Sequence, residues 1–142
     1  MFNVNIYVDG SCLGNPGPAG IGIVLSSETV DKEVSIPIIG CGTNILAELT
    51  AAIKGLELLN FRPITNVIMY TDSQTVIGWA MLNWKATSHT DLVRKFKDLI
   101  AECKSFKIKK VSKTDQIPQH FRSHELAQEA AAALKESIRH DK

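Results

Sequence analysis

The chain has 142 residues, of which 44% are hydrophobic and 22% charged, and its formal net charge is +1. This length and composition are typical of a single globular domain, 1–142, and exclude a disordered tail or a membrane protein. No run of apolar residues and glycine is longer than Ala19 to Leu25, which is too short to span a bilayer, so we expect no membrane association.

The N-terminal part of the sequence predicts three strands. Val4, Ile6 and Val8 alternate with polar residues, which is the period of a strand. The segment AGIGIVL predicts a second strand and Glu33 to Cys41 a third, in which Pro37 indicates an edge position. Because the connections are short, these strands are expected to pair antiparallel.

The hydrophobic period then changes to that of helices. Apolar residues at helical spacing predict four helices, which begin near Asn44 as an N-cap, Ser73, Thr90 and Ser123. Apolar runs between these helices predict two further strands, Asn66 to Tyr70 and Phe106 to Val111. The order predicts an α/β fold with a mixed five-stranded sheet, in which three antiparallel strands are followed by two parallel ones and helices flank the sheet.

Three carboxylates stand where this topology brings chain segments together. Asp9 and Asp72 follow apolar strands, and the functional crevice of such a sheet lies beyond the carboxyl ends of its parallel strands. Glu48 lies near the start of the first helix, away from its apolar stripe. Oxygen ligands around one pocket suit Mg²⁺ or Mn²⁺, and two such ions about 4 Å apart support phosphodiester hydrolysis. The structural alternatives are a turn for Asp9, a helix-surface charge for Glu48 and a helix cap for Asp72.

Three sequence blocks carry a resemblance to a known family. DGSCLGNPGPAGIG, TNILAELTAAIKGLELL and TDSQTVIGW, in this element order, resemble ribonuclease H of the bacterial and eukaryotic type 1 kind. The resemblance covers nearly the whole chain and implies a ribonuclease H-like fold. It implies an endonuclease that hydrolyses the RNA strand of RNA/DNA hybrids, leaving 5′-phosphate and 3′-hydroxyl ends. It also implies that Asp9, Glu48 and Asp72 hold two metal ions.

The same resemblance assigns contacts with the hybrid's backbone or minor groove, where a 2′-hydroxyl distinguishes RNA from DNA. The matching residues are Cys12, Gly14, Asn15, Thr43, Asn44 and Gln74. For Asn15 there is an alternative, in which its side chain stabilises its own Gly-Asn-Pro-Gly turn.

The chain departs from the family pattern near its C-terminus. The family usually has a fourth carboxylate at the start of the last helix, preceded by a loop that contains a histidine. A gap-free match of VSKTDQIPQHFRSHELAQEAA places His124 at the carboxylate position and Thr114 at the loop histidine. With Ser123 as N-cap, His124 would lie in the first helical turn, where the helix dipole favours a neutral imidazole that binds metal, Mn²⁺ better than Mg²⁺, or accepts a proton. Packing at the start of the helix is the alternative.

A second departure concerns the basic helical protrusion with which some family members bind substrate. The segment between the TDSQ block and Asp91 is too short to contain it. Residues 83–124 carry 10 basic and 4 acidic side chains, whereas residues 1–82 carry 3 and 7. Five lysines of the basic segment offer a replacement phosphate-binding surface: Lys104, Lys107, Lys109, Lys110 and Lys113. The alternative is a solvated face without a partner.

The cysteines bear on the compartment. Cys12, Cys41 and Cys103 form no Cys-x-x-Cys pair, and an odd number argues against a disulfide framework. The first residues lack the basic segment of a signal peptide. We therefore expect a monomeric, cytoplasmic protein whose partner is nucleic acid.

Two rival functions are compatible with the sequence. A nuclease of the same fold would act on double-stranded RNA or on DNA junctions. A hybrid-binding module would bind with weak or no turnover, an alternative suggested by Thr114, His124 and the missing protrusion. The fold alone does not separate these functions, because function depends on the site.

Overall fold

The computed structural model describes residues 2–14, 16–28, 31–59 and 65–140. In chain order the elements are β1 Phe2–Cys12, β2 Gly17–Ser26, β3 Asp31–Gly42, α1 Asn44–Glu57, β4 Thr65–Thr71, α2 Gln74–Met81, α3 Thr90–Glu102, β5 Ser105–Lys110 and α4 Pro118–His140. A short 3₁₀ turn, Lys113–Asp115, precedes α4. This order of elements matches the order that the sequence predicts.

The strands form one mixed sheet in the order β3-β2-β1-β4-β5. β2 pairs antiparallel with both β1 and β3, and β4 pairs parallel with both β1 and β5. The predicted mixed sheet is confirmed, and β3 with Pro37 lies at an edge, where a residue without an N–H is tolerated.

The two faces of the sheet pack against different helices. Successive strand residues point to opposite faces, so Val4, Ile6 and Val8 share a face and join the core cluster that includes residues of α1 and α3. Tyr7 points to the other face, where it packs with Val24 and with Leu126 of α4. Asp9 follows Tyr7 by two positions and therefore belongs to the α4 face.

Two helix starts differ from the prediction. α1 is capped by Thr43 rather than Asn44, because the Thr43 hydroxyl accepts a hydrogen bond from the Leu46 N–H at 3.3 Å. α4 begins at Pro118, whose fixed φ suits the first helical position, and not after Ser123. Ser123 is buried inside α4 and donates its hydroxyl hydrogen to the carbonyl of His120 at 2.8 Å.

The end of α1 and the span between α2 and α3 also bear on the predictions. The sequence predicts that Asn60 and Pro63 close α1; both lie outside the described residues, and the helix ends at Glu57. Residues 82–89 lie between α2 and α3 and contain no further helix. This agrees with the prediction that the chain lacks the basic helical protrusion. Within the described ranges no helix has the length and apolar character needed to cross a membrane.

The two tryptophans differ in their burial. The sequence predicts that both pack between helices rather than stack on sugars or bases. Trp79 is 6% exposed and belongs to the core, as predicted. For Trp84 the prediction is wrong, because this side chain is 42% exposed. Its indole ring lies against Gly78, where any Cβ atom would collide with it.

Candidate active site

Asp9 lies near the end of β1, the central strand of the sheet, and is only 3% exposed. Its Oδ1 atom accepts a hydrogen bond from the Gly10 N–H at 2.9 Å, and its Oδ2 atom lies 2.6 Å from His124 Nδ1. Burial, and after it the negative charge of Asp72, raise the pKa of Asp9 to about 6, although the contacts with His124 and Gly10 oppose the rise. A buried carboxyl with a raised pKa is typical of functional sites.

Asp72 is brought to Asp9 by the pairing of β1 with β4. The last residues paired in this parallel ladder are Tyr7 and Tyr70, whose rings stack at 4.5 Å with an interplanar angle of 9°. Asp9 and Asp72 each stand two positions further along, so they share the same edge of the sheet. Asp72 is exposed, and its charge raises the pKa of both Asp9 and Glu48.

Glu48 is delivered by α1, which contacts β1 directly. A Cβ atom at Gly10 would lie 2.6 Å from the Ala47 carbonyl carbon and 2.7 Å from the Glu48 nitrogen, so only glycine permits this approach. Burial raises the pKa of the half-buried Glu48, a hydrogen bond with Ser73 lowers it, and the charge of Asp72 raises it. Ser73 thus acts on Glu48 while its hydroxyl also caps α2 by accepting from the Val76 N–H at 3.2 Å.

His124 is delivered from the opposite face by α4. Gly22 is the antiparallel partner of Asp9, and a Cβ atom on it would collide with the Ser123 carbonyl and lie 2.6 Å from the Ala127 nitrogen. The helix therefore rests on the backbone of β2 beside Asp9. Because α4 begins at Pro118, His124 is in its second turn, and the predicted effect of the helix dipole on the imidazole is wrong.

These four side chains form a donor set of three carboxylates and one imidazole. As they stand, no three histidine, cysteine or acidic side chains in the described part of the chain are close enough to enclose an ion. The carboxylates are nevertheless coupled, since Asp72 acts on both of the others. A cation would relieve this repulsion, and the oxygen-rich set fits a hard divalent ion such as Mg²⁺ or Mn²⁺.

The predicted substrate contacts surround the same edge of the sheet. Thr43 and Asn44 begin α1, one turn before Glu48, and Gln74 begins α2, two positions after Asp72. Asn44 and Gln74 are exposed, whereas Thr43 is half-buried and occupied as a cap. Their contacts with a hybrid stay predictions.

The turn after β1 holds the remaining predicted contacts. Gly14 has φ +92°, a conformation that other residues rarely adopt. The Cys12 thiol contacts the carbonyls of Gly14, Gly17 and Gly42, the last at 3.3 Å, and so is directed toward this turn and the end of β3. Asn15 lies outside the described residues.

Sequence reasoning missed two kinds of functional residue. Ser73 was assigned only to the start of a helix, although its place directly after Asp72 puts its hydroxyl within reach of Glu48. The packing roles of Gly10 and Gly22 were also missed. Their signal is glycine inside a strand, which marks close approach of another backbone.

Comparison with known proteins places the chain in a family. A profile described as RNase H matches residues 2–136. Ribonuclease H from Aeromonas salmonicida is 37% identical over 144 residues, covering 93% of this chain and 92% of the relative. Ribonuclease HI from Haemophilus ducreyi is 43% identical over 96 residues, covering 62% of this chain, which spans only 61% of that relative's length. The crystal structure of LC11-RNase H1 in complex with RNA/DNA hybrid has a TM-score of 0.77 and 28% identity, covering 95% of this chain and 99% of that one. The chain therefore belongs to the RNase H family, on the type 1 side that the sequence blocks predict.

Proposed function

We propose that this chain is an endoribonuclease that hydrolyses the RNA strand of RNA/DNA hybrids and leaves 5′-phosphate and 3′-hydroxyl ends. The observation that carries the proposal is the buried Asp9 carboxylate, coupled to Asp72 at the end of the neighbouring strand. Membership of the RNase H family supports it, as does the similar LC11-RNase H1, which is described in complex with RNA/DNA hybrid.

In this proposal Asp9, Glu48 and Asp72 hold two divalent ions, Mg²⁺ or Mn²⁺. When bound, such ions activate the attacking water and stabilise the leaving oxygen. The chain holds its ligands in place through contacts that need no ion: the Gly10 N–H fixes Asp9 Oδ1, and Ser73 hydrogen-bonds Glu48.

His124 completes the site in one of two ways. When its Nδ1–H donates to Asp9 Oδ2, the other ring nitrogen is an acceptor. That nitrogen can ligate an ion or take a proton from water. Both roles need the imidazole to stay oriented by Asp9, so the 2.6 Å contact is a positioning interaction in either case.

The test is a cleavage assay on an end-labelled RNA/DNA hybrid with Mg²⁺ and Mn²⁺ in parallel. We expect cleavage of the RNA strand within the hybrid and no cleavage by Asp72→Asn, which keeps the size of the side chain and removes its charge. Double-stranded RNA and double-stranded DNA of the same sequence are run beside it. Cleavage of either duplex in preference to the hybrid would favour the rival nuclease, and binding of the hybrid without cleavage in either metal would favour the binding module.

His124→Asp tests the fourth position of the site. We expect this variant to keep or increase Mg²⁺-supported cleavage, because a carboxylate is a harder ligand than imidazole. In EDTA its melting temperature should fall, since a new carboxylate would face Asp9, and MgCl₂ should restore it. His124→Ala is the matched control, which loses the ligand without adding charge. Loss of activity by His124→Asp with unchanged folding would contradict the hypothesis.

Three further features of the proposal rest on the sequence. They are a single domain over residues 1–142, a monomeric state and a cytoplasmic location. The odd number of cysteines and the lack of a Cys-x-x-Cys pair agree with a reducing compartment.

A further inference from the structure

α4 covers only part of its face of the sheet. It packs on β1, β2 and β3, and the residues of β5 on this face are exposed. Register places β4 and β5 residues side by side, with Asn66 opposite Ser105, Ile68 opposite Lys107 and Tyr70 opposite Lys109. Together with two residues of β1 they form a surface that we call the open face: Asn3, Asn5, Asn66, Ile68, Tyr70, Ser105, Lys107 and Lys109.

The floor of the open face is concave and polar. A 390 Å³ cavity lies there, lined by four residues of the open face, Asn3, Asn5, Asn66 and Ile68, and by Val4, Ser26, Ser27 and Glu28, so that one carboxylate also borders it. The Asn66 amide donates to Asn3 Oδ1 at 2.8 Å, and the Ser105 hydroxyl donates to Asn66 Oδ1 at 2.8 Å. Amide and hydroxyl groups thus run across three neighbouring strands, and such groups recognise the edges of unpaired bases.

An aromatic ring, that of Tyr70, lies at the end of the open face that is nearer to Asp72. Tyr70 is half-buried, and one face of its ring stacks on Tyr7 of the neighbouring strand β1. Its other ring face is therefore directed toward β5, on the side of Lys109. A planar base placed there would extend the existing stack, which is how single strands bind with little sequence preference.

The rim of the open face is basic. Lys107 and Lys109 alternate with Phe106 and Ile108, which pack into the core on the opposite face. The two lysines point the same way, about 7 Å apart along the strand. Both are exposed, and neither forms an ion pair with a carboxylate in the described ranges.

The open face leads directly to the catalytic edge. Lys109 pairs with Tyr70, and Asp72 follows Tyr70 by two residues, which is roughly 7 Å along an extended chain. A strand that leaves the carboxylates across the end of β4 would therefore reach the basic rim within about one or two nucleotides. A duplex would present only its phosphates here, and the polar floor and the tyrosine would stay unused.

We propose that the open face binds a single-stranded nucleic-acid segment that adjoins the hybrid, with Lys107 and Lys109 contacting its phosphates and Tyr70 contacting a base. The surface would stand in for the missing basic protrusion. The continuity of this strand with the cleaved substrate rests on the proposed function, but binding of a single strand does not require cleavage.

The experiment measures binding by fluorescence anisotropy in EDTA, so that no cleavage intervenes. The probes are a labelled single-stranded DNA, a blunt hybrid and the same hybrid with a single-stranded extension. We expect the native chain to bind the extended hybrid more tightly than the blunt one. Lys107→Gln with Lys109→Gln should remove that gain, weaken single-strand binding about tenfold and reduce its salt slope by about 1.4.

The matched control is Lys32→Gln with Lys135→Gln, which removes two exposed charges elsewhere on the molecule. It should leave the gain and the salt slope within error of the native values. An unchanged slope in the Lys107 and Lys109 variant, or an equal loss for blunt and extended hybrids, would overturn the proposal. Failure of the native chain to cleave any hybrid would instead contradict the proposed function, and this binding test would still stand.

Discussion

Asp9→Asn is expected to abolish hydrolysis of the hybrid and, in the same protein, to raise stability when no metal is present. Activity should fall by about a thousandfold or more, equivalent to roughly 4 kcal/mol of lost transition-state stabilisation. Stability should rise because the folded state holds a buried carboxylate beside Asp72. An amide has the same shape, carries no charge and can still accept from Gly10.

The pH dependence of this gain follows from the raised pKa. Folding moves the pKa of Asp9 from an ordinary value of 3.8 to about 6, so between these values the folded chain binds more protons than the unfolded chain. The contribution of Asp9 to stability is therefore present below pH ~4 and is lost as the pH rises through ~6. At pH 7 in EDTA, Asp9→Asn should be about 1–3 kcal/mol more stable than the native chain, and near pH 4 the difference should vanish.

Urea unfolding at pH 4, 5, 6 and 7 in EDTA measures this difference. Ser35→Ala, two strands away from Asp9 on the same face of the sheet, controls for the loss of an ordinary hydrogen bond, here to the Leu126 carbonyl at 2.7 Å. Addition of MgCl₂ should stabilise the native chain and have a much smaller effect on Asp9→Asn. A variant that is less stable than the native chain at pH 7 would show that the Asp9 carboxylate is not a destabilising group.

Gly22→Ala adds a single methyl group and is expected to lower both the stability of the fold and the turnover of the site. The added carbon would collide with the Ser123 carbonyl, so α4 has to move away from β2 and carry His124 with it. Overpacking of this kind costs about 3 kcal/mol. Turnover of the folded fraction should fall as well, because Asp9 is the register partner of Gly22.

Gly20→Ala is the matched control for this variant. It adds the same methyl group to the same strand against the same helix, at 2.5 Å from the Ala131 nitrogen, but its register partner is Ser11. Both variants should lose stability in urea unfolding. Only Gly22→Ala should lose turnover at a temperature where both are folded, and an equal loss of turnover in the two variants would contradict the positioning role of Gly22.

The carboxylates of the site could be located from sequence because strand ends are visible in it. Asp9 and Asp72 follow runs of alternating or apolar residues, and parallel pairing of those runs brings their ends to one edge. Glu48 could be assigned to the same site because apolar residues at helical spacing show that its helix begins near Asn44. What decides these positions is local periodicity together with simple topology, and both are encoded over short stretches of chain.

The placement of His124 depended on information that the sequence does not display locally. Ser123 is a good N-cap residue by type, but Pro118 starts the helix earlier and tertiary packing keeps the added turn. The 2.6 Å contact with Asp9 depends on how closely α4 approaches β2, which is set by a glycine 102 positions away in the chain. The prediction that Trp84 packs in the core was wrong for a similar reason. The helix α2 ends before this residue and leaves its side chain outside the core.

The composition of the two edge strands, β3 and β5, also affects the tendency of the protein to aggregate. An edge strand exposes unpaired N–H and C=O groups, which invite a strand from another molecule to add on. β3 carries Asp31, Lys32 and Glu33 as well as Pro37, and β5 carries alternating lysines. Charge at both edges, together with proline in β3, opposes the growth of intermolecular sheets, so the lysines of β5 also help to keep the protein dispersed at high concentration.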